Sequence, residues 1–176
     1  MCENKEPLVT AVITSYKRKP EVVKRALDSI VGQTYGNIEI YIVNDYPTDK
    51  KLVEDLREMI NASSKGREVH YIVVEKNGGA CRARNLALEK AKGKYFACLD
   101  DDDEWLPDKI KLQVKKMEEK DMILEAMKKA GEPLNAGKIA ELTGLDRKVV
   151  DKAMTEMKKD GAIISPVRCK WEPAEK

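Results

Sequence analysis

Histidine is almost absent from this chain, and cysteine is scarce and scattered. The 176 residues include one histidine and four cysteines, the cysteines at positions 2, 81, 98 and 169. A lone imidazole has no partner with which to share a metal, and no cysteine stands in the Cys-x-x-Cys spacing of zinc or redox sites. We therefore expect His70 to be an ordinary strand residue and the thiols to be free, as in a reduced cytoplasmic protein.

Long apolar runs and a large excess of charge of one sign are also missing. No segment approaches the roughly 20 apolar residues of a membrane span, so we expect no span, and no secretory apolar region is evident near the N-terminus. The net charge of +2 does not by itself indicate a nucleic-acid partner. The composition, 42% hydrophobic and 36% charged, is that of a globular protein with room for one medium domain or two small ones.

The first 120 residues alternate strand-like and helical patterns. Four short runs rich in β-branched and aromatic residues are separated by segments whose apolar residues recur at intervals of three and four. The strand-like runs are "LVTAVITSY", "IEIYIVND", "VHYIVVEKN" and "KYFACLDDD". This βαβαβαβ order predicts an α/β fold, a Rossmann-like parallel sheet with helices on both faces. Pro20 suits a first helical turn, and Gly93 suits a helix C-cap.

Polar residues follow each predicted strand and would lie at one edge of the sheet, where open parallel sheets bind ligands. They occupy positions 14–16, 44–45, 77–79 and 100–103. Carboxylates packed side by side repel one another unless a cation or water separates them, so the run at 100–103 is either a solvated loop or a metal site. Its place at the ligand-binding edge favours the metal site.

The residue types at this edge indicate a diphosphate ligand. Clustered carboxylates prefer Mg2+ or Mn2+, and Mg2+ held by one or two carboxylates completes its shell with water and phosphate oxygens. Asp45 is placed to accept hydrogen bonds from a base or a ribose. The glycines at 78–79 let the backbone approach a ligand at a helix N-terminus, with Arg82 and Arg84 as nearby cations, although two glycines there are also compatible with a simple turn.

Three segments together resemble a known family. "TAVITSYKR", "IEIYIVNDYPTD" and "NGGACRARNLALEKAKGKYFACLDDDDEWLPDKI" are similar, in order and spacing, to the N-terminal half of family 2 inverting glycosyltransferases of the GT-A fold. The resemblance covers about residues 7–120. It implies a nucleotide-diphosphate-sugar donor, commonly a UDP-sugar, with a divalent cation bridging its phosphates.

The resemblance also assigns roles to individual residues. Thr14 and Tyr16 would contact the nucleoside and Asp45 the base, with Tyr16 alternatively a half-buried edge aromatic. Asp100 and Asp102 of the acidic DxD motif would bind the metal, and Asp102 is the residue expected to contact it directly. Asp101 and Arg84 would contact the nucleotide, whereas Asp103 and Glu104 would structure the loop or cap the helix opened by Pro107.

The chain departs from the family pattern in two places. In "NDYPTD", Asn44 and Tyr46 stand where the family often has an acid and a glycine. The similarity then ends in "KLQVKKMEEKD", before the acceptor half that supplies the carboxylate general base of family members. Inversion at an anomeric carbon needs a base within reach of the attacking hydroxyl, so the sequence predicts a donor-binding chain that is catalytically incomplete.

Residues 121–176 form a different pattern, predicted to be a second domain. "DMILEAMKKAG", "NAGKIAELTG" and "DRKVVDKAMTEMKKDG" indicate three helices, and "AIISPVRCKWEP" indicates a hairpin around a Ser-Pro turn. Three helices and a hairpin resemble a winged helix-turn-helix. Gly144 would lie in the turn, and the expected core residues are Leu142, Leu145, Val149, Val150 and Ala153.

A winged helix raises the possibility of a DNA partner. Its third helix would present Arg147, Lys148 and Lys152 to the major groove, and Arg168 and Lys170 of the wing would reach phosphate. From Asp121 onward, however, the sequence has eleven basic and ten acidic residues, a net charge of about +1. Protein contact, or a merely folded tail, is the equally favoured alternative.

Three hypotheses follow for the whole chain. It is a family 2 glycosyltransferase domain that needs an acceptor half, a nucleotide-sugar-responsive DNA-binding regulator, or a composite of two modules without shared function. The helix that begins near Pro107 either continues through "KKMEEKD" into the second domain or is interrupted there.

Overall fold

Four parallel strands and three helices form the first part of the structure. The computed structural model describes residues 6–174. The elements are β1 (Val9–Ser15), α1 (Pro20–Val31), β2 (Ile38–Asn44), α2 (Lys50–Ser63), β3 (Val69–Val73), α3 (Gly79–Leu88) and β4 (Tyr95–Asp100). The alternation of strands and helices predicted from the sequence is confirmed.

The strands are ordered β3-β2-β1-β4, and every neighbouring pair is parallel. The chain therefore moves outward from β1 to β3 and then returns to the other side of β1 for β4. This reversal is a topological switch point, beside which open α/β sheets bind their ligands. Thr14 near the end of β1 pairs with Val43 on β2 and with Asp100, the last residue of β4.

Both faces of the sheet are covered by helices. Val12, Tyr41 and Val43 form a buried cluster with Ala83 and Ala87 of α3. The alternate strand residues, which point to the opposite face, are also fully buried: Ala11, Ile13, Ile40 and Ile42. On that side α1 lies against β1, and α2 lies against β3 and α1. The prediction of a parallel sheet flanked by helices is confirmed.

Local sequence signals explain most helix ends. Pro20 is the first residue of α1, and the Asp49 side chain caps α2 by accepting a hydrogen bond from the backbone N–H of Leu52 at 3.0 Å. The prediction for Gly93 is wrong, because α3 ends at Leu88. A Cβ on Gly93 would lie 2.6 Å from the backbone nitrogen of Thr10, so glycine is needed there for close approach to β1.

Within the described residues, the histidine is a strand residue and the cysteines are free thiols, as expected. His70 lies on β3 and stacks on Tyr41, with 4.5 Å between the ring centroids. Cys81, Cys98 and Cys169 are free thiols, while Cys2 lies outside the described residues. Within residues 6–174, no helix is long and apolar enough to cross a membrane.

A single helix, α4 (Lys109–Ala130), runs without interruption through the charged segment whose continuity the sequence left open. It begins two residues after Pro107. The structure divides into two compact units within this helix, one ending at Lys111 and the other starting at Leu112. The domain boundary predicted at residue 120 stays a prediction.

The C-terminal unit continues with α5 (Ala136–Thr143), α6 (Arg147–Lys159) and an antiparallel pair, β5 (Ile163–Val167) and β6 (Lys170–Pro173). Its core contains Ile123, Met127, Ile139, Val150 and Met157. A single bridge joins Leu134 to Trp171 beside the hairpin. Three helices are thus followed by a hairpin, in the order predicted.

Two details of this unit differ from the prediction. The hairpin turns at residues 168–169, and Ser165 and Pro166 lie within β5. Proline is tolerated there because the pairing register shifts between Ile164 and Val167. Leu142 was expected in the core but is 51% exposed. Gly144 does end α5, in the left-handed conformation at φ 71°.

Candidate functional site

The acidic motif lies at the carboxyl edge of the sheet, beside the switch point. Asp100 is the last residue of β4, and the chain turns immediately after it, with the backbone N–H of Asp103 donating to the carbonyl of Asp100 at 3.1 Å. The Asp101 side chain is 7% exposed, whereas those of Asp100 and Asp102 are 59% and 51% exposed. The motif therefore contains one buried carboxylate between two that face solvent.

Two arginines form ion pairs with the three carboxylates of this motif. Arg18, just beyond β1, donates from Nε to Asp101 and from Nη2 to Asp102, each at 3.0 Å. Arg84 on α3 donates from Nη2 to Oδ1 of Asp100 at 2.7 Å. Arg84 was expected near the nucleotide, and the structure places it against the motif. Arg18 was missed by the sequence analysis, although its position in "SYKRK" directly after a strand was a usable signal.

The donor set suits the divalent cation that the sequence predicted, but it is not assembled as a three-ligand cage. Within the described residues, no group of three or more histidine, cysteine or acidic side chains is arranged to hold a metal ion. Mg2+ needs only one or two protein carboxylates when phosphate oxygens complete its shell. The half-exposed Asp100 and Asp102 are hard oxygen ligands that meet this requirement, and the metal site stays a prediction.

Asp45 is buried directly after β2, and both of its carboxylate oxygens accept hydrogen bonds. Oδ2 accepts from Nδ2 of Asn77 and from the backbone N–H of Gly79, each at 2.7 Å, and Oδ1 accepts from the N–H of Gly78 at 3.0 Å. Asp45 thus organises the turn that opens α3. The sequence did not predict this role, and a contact between Asp45 and a nucleobase stays a prediction.

Neighbouring Asn44 is buried as well. Its Nδ2 donates to the Tyr71 hydroxyl at 3.0 Å, and its Oδ1 accepts from the backbone N–H of Tyr46 at 2.9 Å. Burial raises the pKa of Tyr71, which favours the neutral hydroxyl that in turn donates to the carbonyl of Val53 at 3.3 Å. The Asn44 side chain is therefore part of the scaffold beneath the edge.

Two tyrosines stand at the ends of β1 and β2. Tyr16, 49% exposed, meets Tyr46 edge to face, with 5.4 Å between the ring centroids. Lys17 Nζ lies 5.2 Å from one ring centroid and 5.0 Å from the other, and a hydrogen bond with Tyr16 raises the pKa of Lys17. Tyr16 is thus half exposed and packed against Tyr46, which fits the half-buried edge aromatic as well as a nucleoside contact, and its contact with a nucleoside stays a prediction.

A cleft of about 610 Å³ opens beside the acidic motif. Its lining includes Arg84 of α3, Cys98 and Asp100 of β4, and Asp103, Glu104 and Trp105 of the loop that follows. Glu104 lies 3.9 Å from Arg25 of α1, with both side chains exposed, and its loop-structuring role stays a prediction. A molecule larger than water can therefore reach the exposed Asp100 carboxylate through this cleft.

Comparison with known proteins identifies the family of this fold. The sequence profile described as Glycosyl transferase family 2 matches residues 10–169. A glycosyltransferase of Methanocaldococcus jannaschii, MJ1057, is 36% identical over 116 residues, which are 66% of this chain and 39% of that protein. TuaG of Bacillus subtilis, whose name provisionally assigns it to teichuronic acid biosynthesis, is 36% identical over 118 residues, 66% of this chain and 44% of TuaG.

Two solved structures have the same fold. The mannosyltransferase PcManGT of Pyrobaculum calidifontis, solved with GDP-Man and Mn2+, aligns with a TM-score of 0.54 at 22% identity, over 65% of this chain and 32% of that one. S. aureus TarS 1-349 in complex with UDP-GlcNAc aligns with a TM-score of 0.53 at 21% identity, over 64% of this chain and 31% of that one. At this identity the likeness shows the fold alone.

The matches cover different shares of this chain and of its relatives. This chain spans less than half the length of the curated relatives named above. The similarity to these relatives covers about two thirds of this chain, whereas the family profile matches as far as residue 169. Because that profile matches most of the sequence and the sheet has the GT-A arrangement, the chain belongs to glycosyl transferase family 2.

Proposed function

We propose that the carboxyl edge of the sheet binds a nucleotide-diphosphate sugar, with a uridine nucleotide as the first candidate, together with Mg2+ or Mn2+. The observation that supports this most directly is the place of the acidic motif. Asp100 ends β4 in register with Thr14 of β1, so the carboxylates lie at the switch point where such sheets bind nucleotides. The solved relatives with UDP-GlcNAc or with GDP-Man and Mn2+ support the same class of ligand.

Each neighbouring group has a role in this proposal. Asp100 and Asp102 hold the cation, which when bound neutralises the charge of the diphosphate. Thr14 and the exposed ring of Tyr16 contact the nucleoside. Asp45 accepts the N–H groups of Gly78 and Gly79, so the other N–H groups of the first turn of α3 are the ones left for an anion at this helix N-terminus. Arg84, already paired with Asp100, adds a fixed positive charge beside the phosphates.

The binding half of this proposal is tested by calorimetry with UDP. We expect the full chain to bind UDP in the presence of Mn2+ and to lose most of that affinity in EDTA, because a diphosphate enters a carboxylate cluster only with a cation. Equal affinity with and without the metal would contradict the proposal.

We further propose that this chain alone binds the donor without transferring the sugar. Transfer with inversion requires a carboxylate base next to the acceptor hydroxyl, and the relatives are more than twice as long as the region they share with this chain. The expected result is release of UDP from a UDP-sugar at no more than a slow hydrolytic rate, with or without sugar acceptors. Rapid acceptor-dependent transfer by the purified chain would show that a base is present.

A second candidate function concerns the C-terminal unit, which we propose to be winged-helix-like. The order of α5, the left-handed Gly144, α6 and the β5–β6 hairpin supports it, as does the bridge from Leu134 to Trp171. Such a unit would contact either DNA or another protein. Arg147, the first residue of α6, is held by Asp151, with its Nε 3.0 and 3.1 Å from the two carboxylate oxygens. This exposed ion pair is weak, but the near-neutral charge of residues 121–176 favours weak DNA binding at most.

A further inference from the structure

Arg18 bridges two neighbouring aspartates of the acidic motif with one guanidinium group. Its Nε lies 3.0 Å from Oδ1 of Asp101, and its Nη2 lies 3.0 Å from Oδ2 of Asp102. The two carboxylates differ sharply in exposure, with 7% of the Asp101 side chain accessible and 51% of the Asp102 side chain. The same guanidinium therefore joins a buried carboxylate to an exposed one.

These two contacts have different strengths. An ion pair with a buried carboxylate is costly to break, because an unpaired charge would be left in a poorly solvated place. An ion pair with a half-exposed carboxylate is screened by water and salt and contributes little. The bond to Asp101 therefore anchors Arg18, and the bond to Asp102 is the one that can be exchanged.

We propose that Arg18 is the counter-ion of Asp102 when no divalent cation is bound, and that the guanidinium and the cation compete for this carboxylate. The inference rests on the proposed function, since it takes Asp102 as a ligand of the cation. Exchange of the guanidinium for the cation leaves Arg18 attached to Asp101, with Nη2 free to donate to a phosphate oxygen.

The competition has a consequence for the order of binding. A bare cation has to displace Nη2 of Arg18 from Asp102 without supplying a new acceptor for it. When the diphosphate arrives with the cation, its oxygens supply both further metal ligands and a new acceptor for Nη2. The free protein consequently binds the cation weakly, and the cation is taken up efficiently together with the nucleotide.

The test is titration of the full chain with Mn2+ alone, followed by calorimetry. Replacing the guanidinium by a neutral amide in Arg18→Gln should tighten Mn2+ binding about three- to tenfold, the size expected for removing one partly screened positive charge near a cation site. Arg25→Gln is the matched control, because its guanidinium lies 3.9 Å from Glu104 and, among residues 6–174, forms no ion pair with Asp100, Asp101 or Asp102. That variant should leave the Mn2+ affinity unchanged within about twofold.

Two further variants separate competition from a structural role. In Arg18→Lys, a single ammonium does not reproduce the two-pronged bridge, so we expect an affinity for Mn2+ between those of the wild type and Arg18→Gln. In an Asp102→Asn background, Arg18→Gln should tighten any remaining Mn2+ binding at Asp100 less than it does in the wild type, because the carboxylate under competition is gone and only the effect of removing a nearby positive charge is left. Circular dichroism of each variant verifies the fold.

The outcomes distinguish this inference from the proposed function. Mn2+-dependent binding of UDP by the wild type, with an unchanged or weaker Mn2+ affinity in Arg18→Gln, overturns the inference and leaves the donor site in place. Tighter Mn2+ binding in Arg18→Gln without UDP binding by any variant supports the inference and overturns the donor site. Absence of Mn2+ binding in every variant, or loss of the fold in both Arg18 variants, overturns the inference.

Discussion

The backbone N–H of Gly79 donates to the carboxylate of Asp45 at 2.7 Å, which ties the end of β2 to the first residue of α3. Asn77 and Gly78 donate to the same carboxylate. One side chain thus determines the shape of the turn at the N-terminus of the helix that faces the candidate site. Neutral or shorter side chains at position 45 do not provide two acceptor oxygens.

Asp45→Ala should therefore lower the free energy of unfolding by about 2–4 kcal/mol, because buried donors lose a charged acceptor. Urea denaturation provides the measurement. Asp49→Ala is the matched control, since Asp49 accepts one hydrogen bond as the exposed N-cap of α2 and its loss should cost about 1 kcal/mol. An equal or smaller loss in Asp45→Ala would contradict the organising role.

Asp102→Asn should remove the Mn2+-dependent part of UDP binding, because an amide oxygen is a much weaker ligand for a hard cation than a carboxylate. Calorimetry with and without EDTA measures that part directly. Asp55→Asn is the control, since Asp55 pairs with Lys51 on the exposed side of α2 and should have no effect. Persistence of metal-dependent binding in Asp102→Asn would assign the cation to other ligands.

Gly93→Ala should lower the free energy of unfolding by about 1–3 kcal/mol, the usual cost of forcing a methyl group into a packed site. The added Cβ would lie 2.6 Å from the backbone nitrogen of Thr10 and displace the loop from β1. Gly36→Ala tests the specificity of the effect, because its nearest contact is a side-chain oxygen of Glu6 at 3.7 Å. Similar stabilities of the two variants would refute this explanation of Gly93.

The C-terminal unit should bind duplex DNA weakly, with an affinity that falls steeply as salt is added. Fluorescence anisotropy of the full chain with labelled duplexes at low salt measures this. Lys170→Gln should weaken binding to all sequences alike, and Arg147→Gln should change the preference among them, since the start of a recognition helix meets base edges. Lys129→Gln, which removes an exposed charge from α4, serves as control. No detectable complex would contradict DNA binding and leave protein contact or a merely folded tail as the alternatives for this unit.

Much of the N-terminal sheet was predictable because its signals are local or periodic. The strand runs are nearly continuous in apolar residues, and β1 and β2 are indeed buried on both faces. The acidic motif was predictable as a site because the end of a parallel strand has a known place in such sheets. The prediction for Gly93 failed because its environment is set by Thr10, a residue distant in sequence. The prediction for Leu142 failed because apolar periodicity does not show which side of a short helix is covered, and this side chain is 51% exposed.

By itself, the sequence determined the α/β class, the order of the elements and the edge at which the polar residues collect, since these follow from hydrophobic periodicity and strand length. Only the tertiary structure decided the partners of those residues. It paired Arg18 with Asp101 and Asp102 across 83 and 84 positions of sequence, and Asp45 with the turn before α3 across 32 to 34. The physical reason is that charge pairing depends on distances and burial set by packing, which no spacing along the chain encodes.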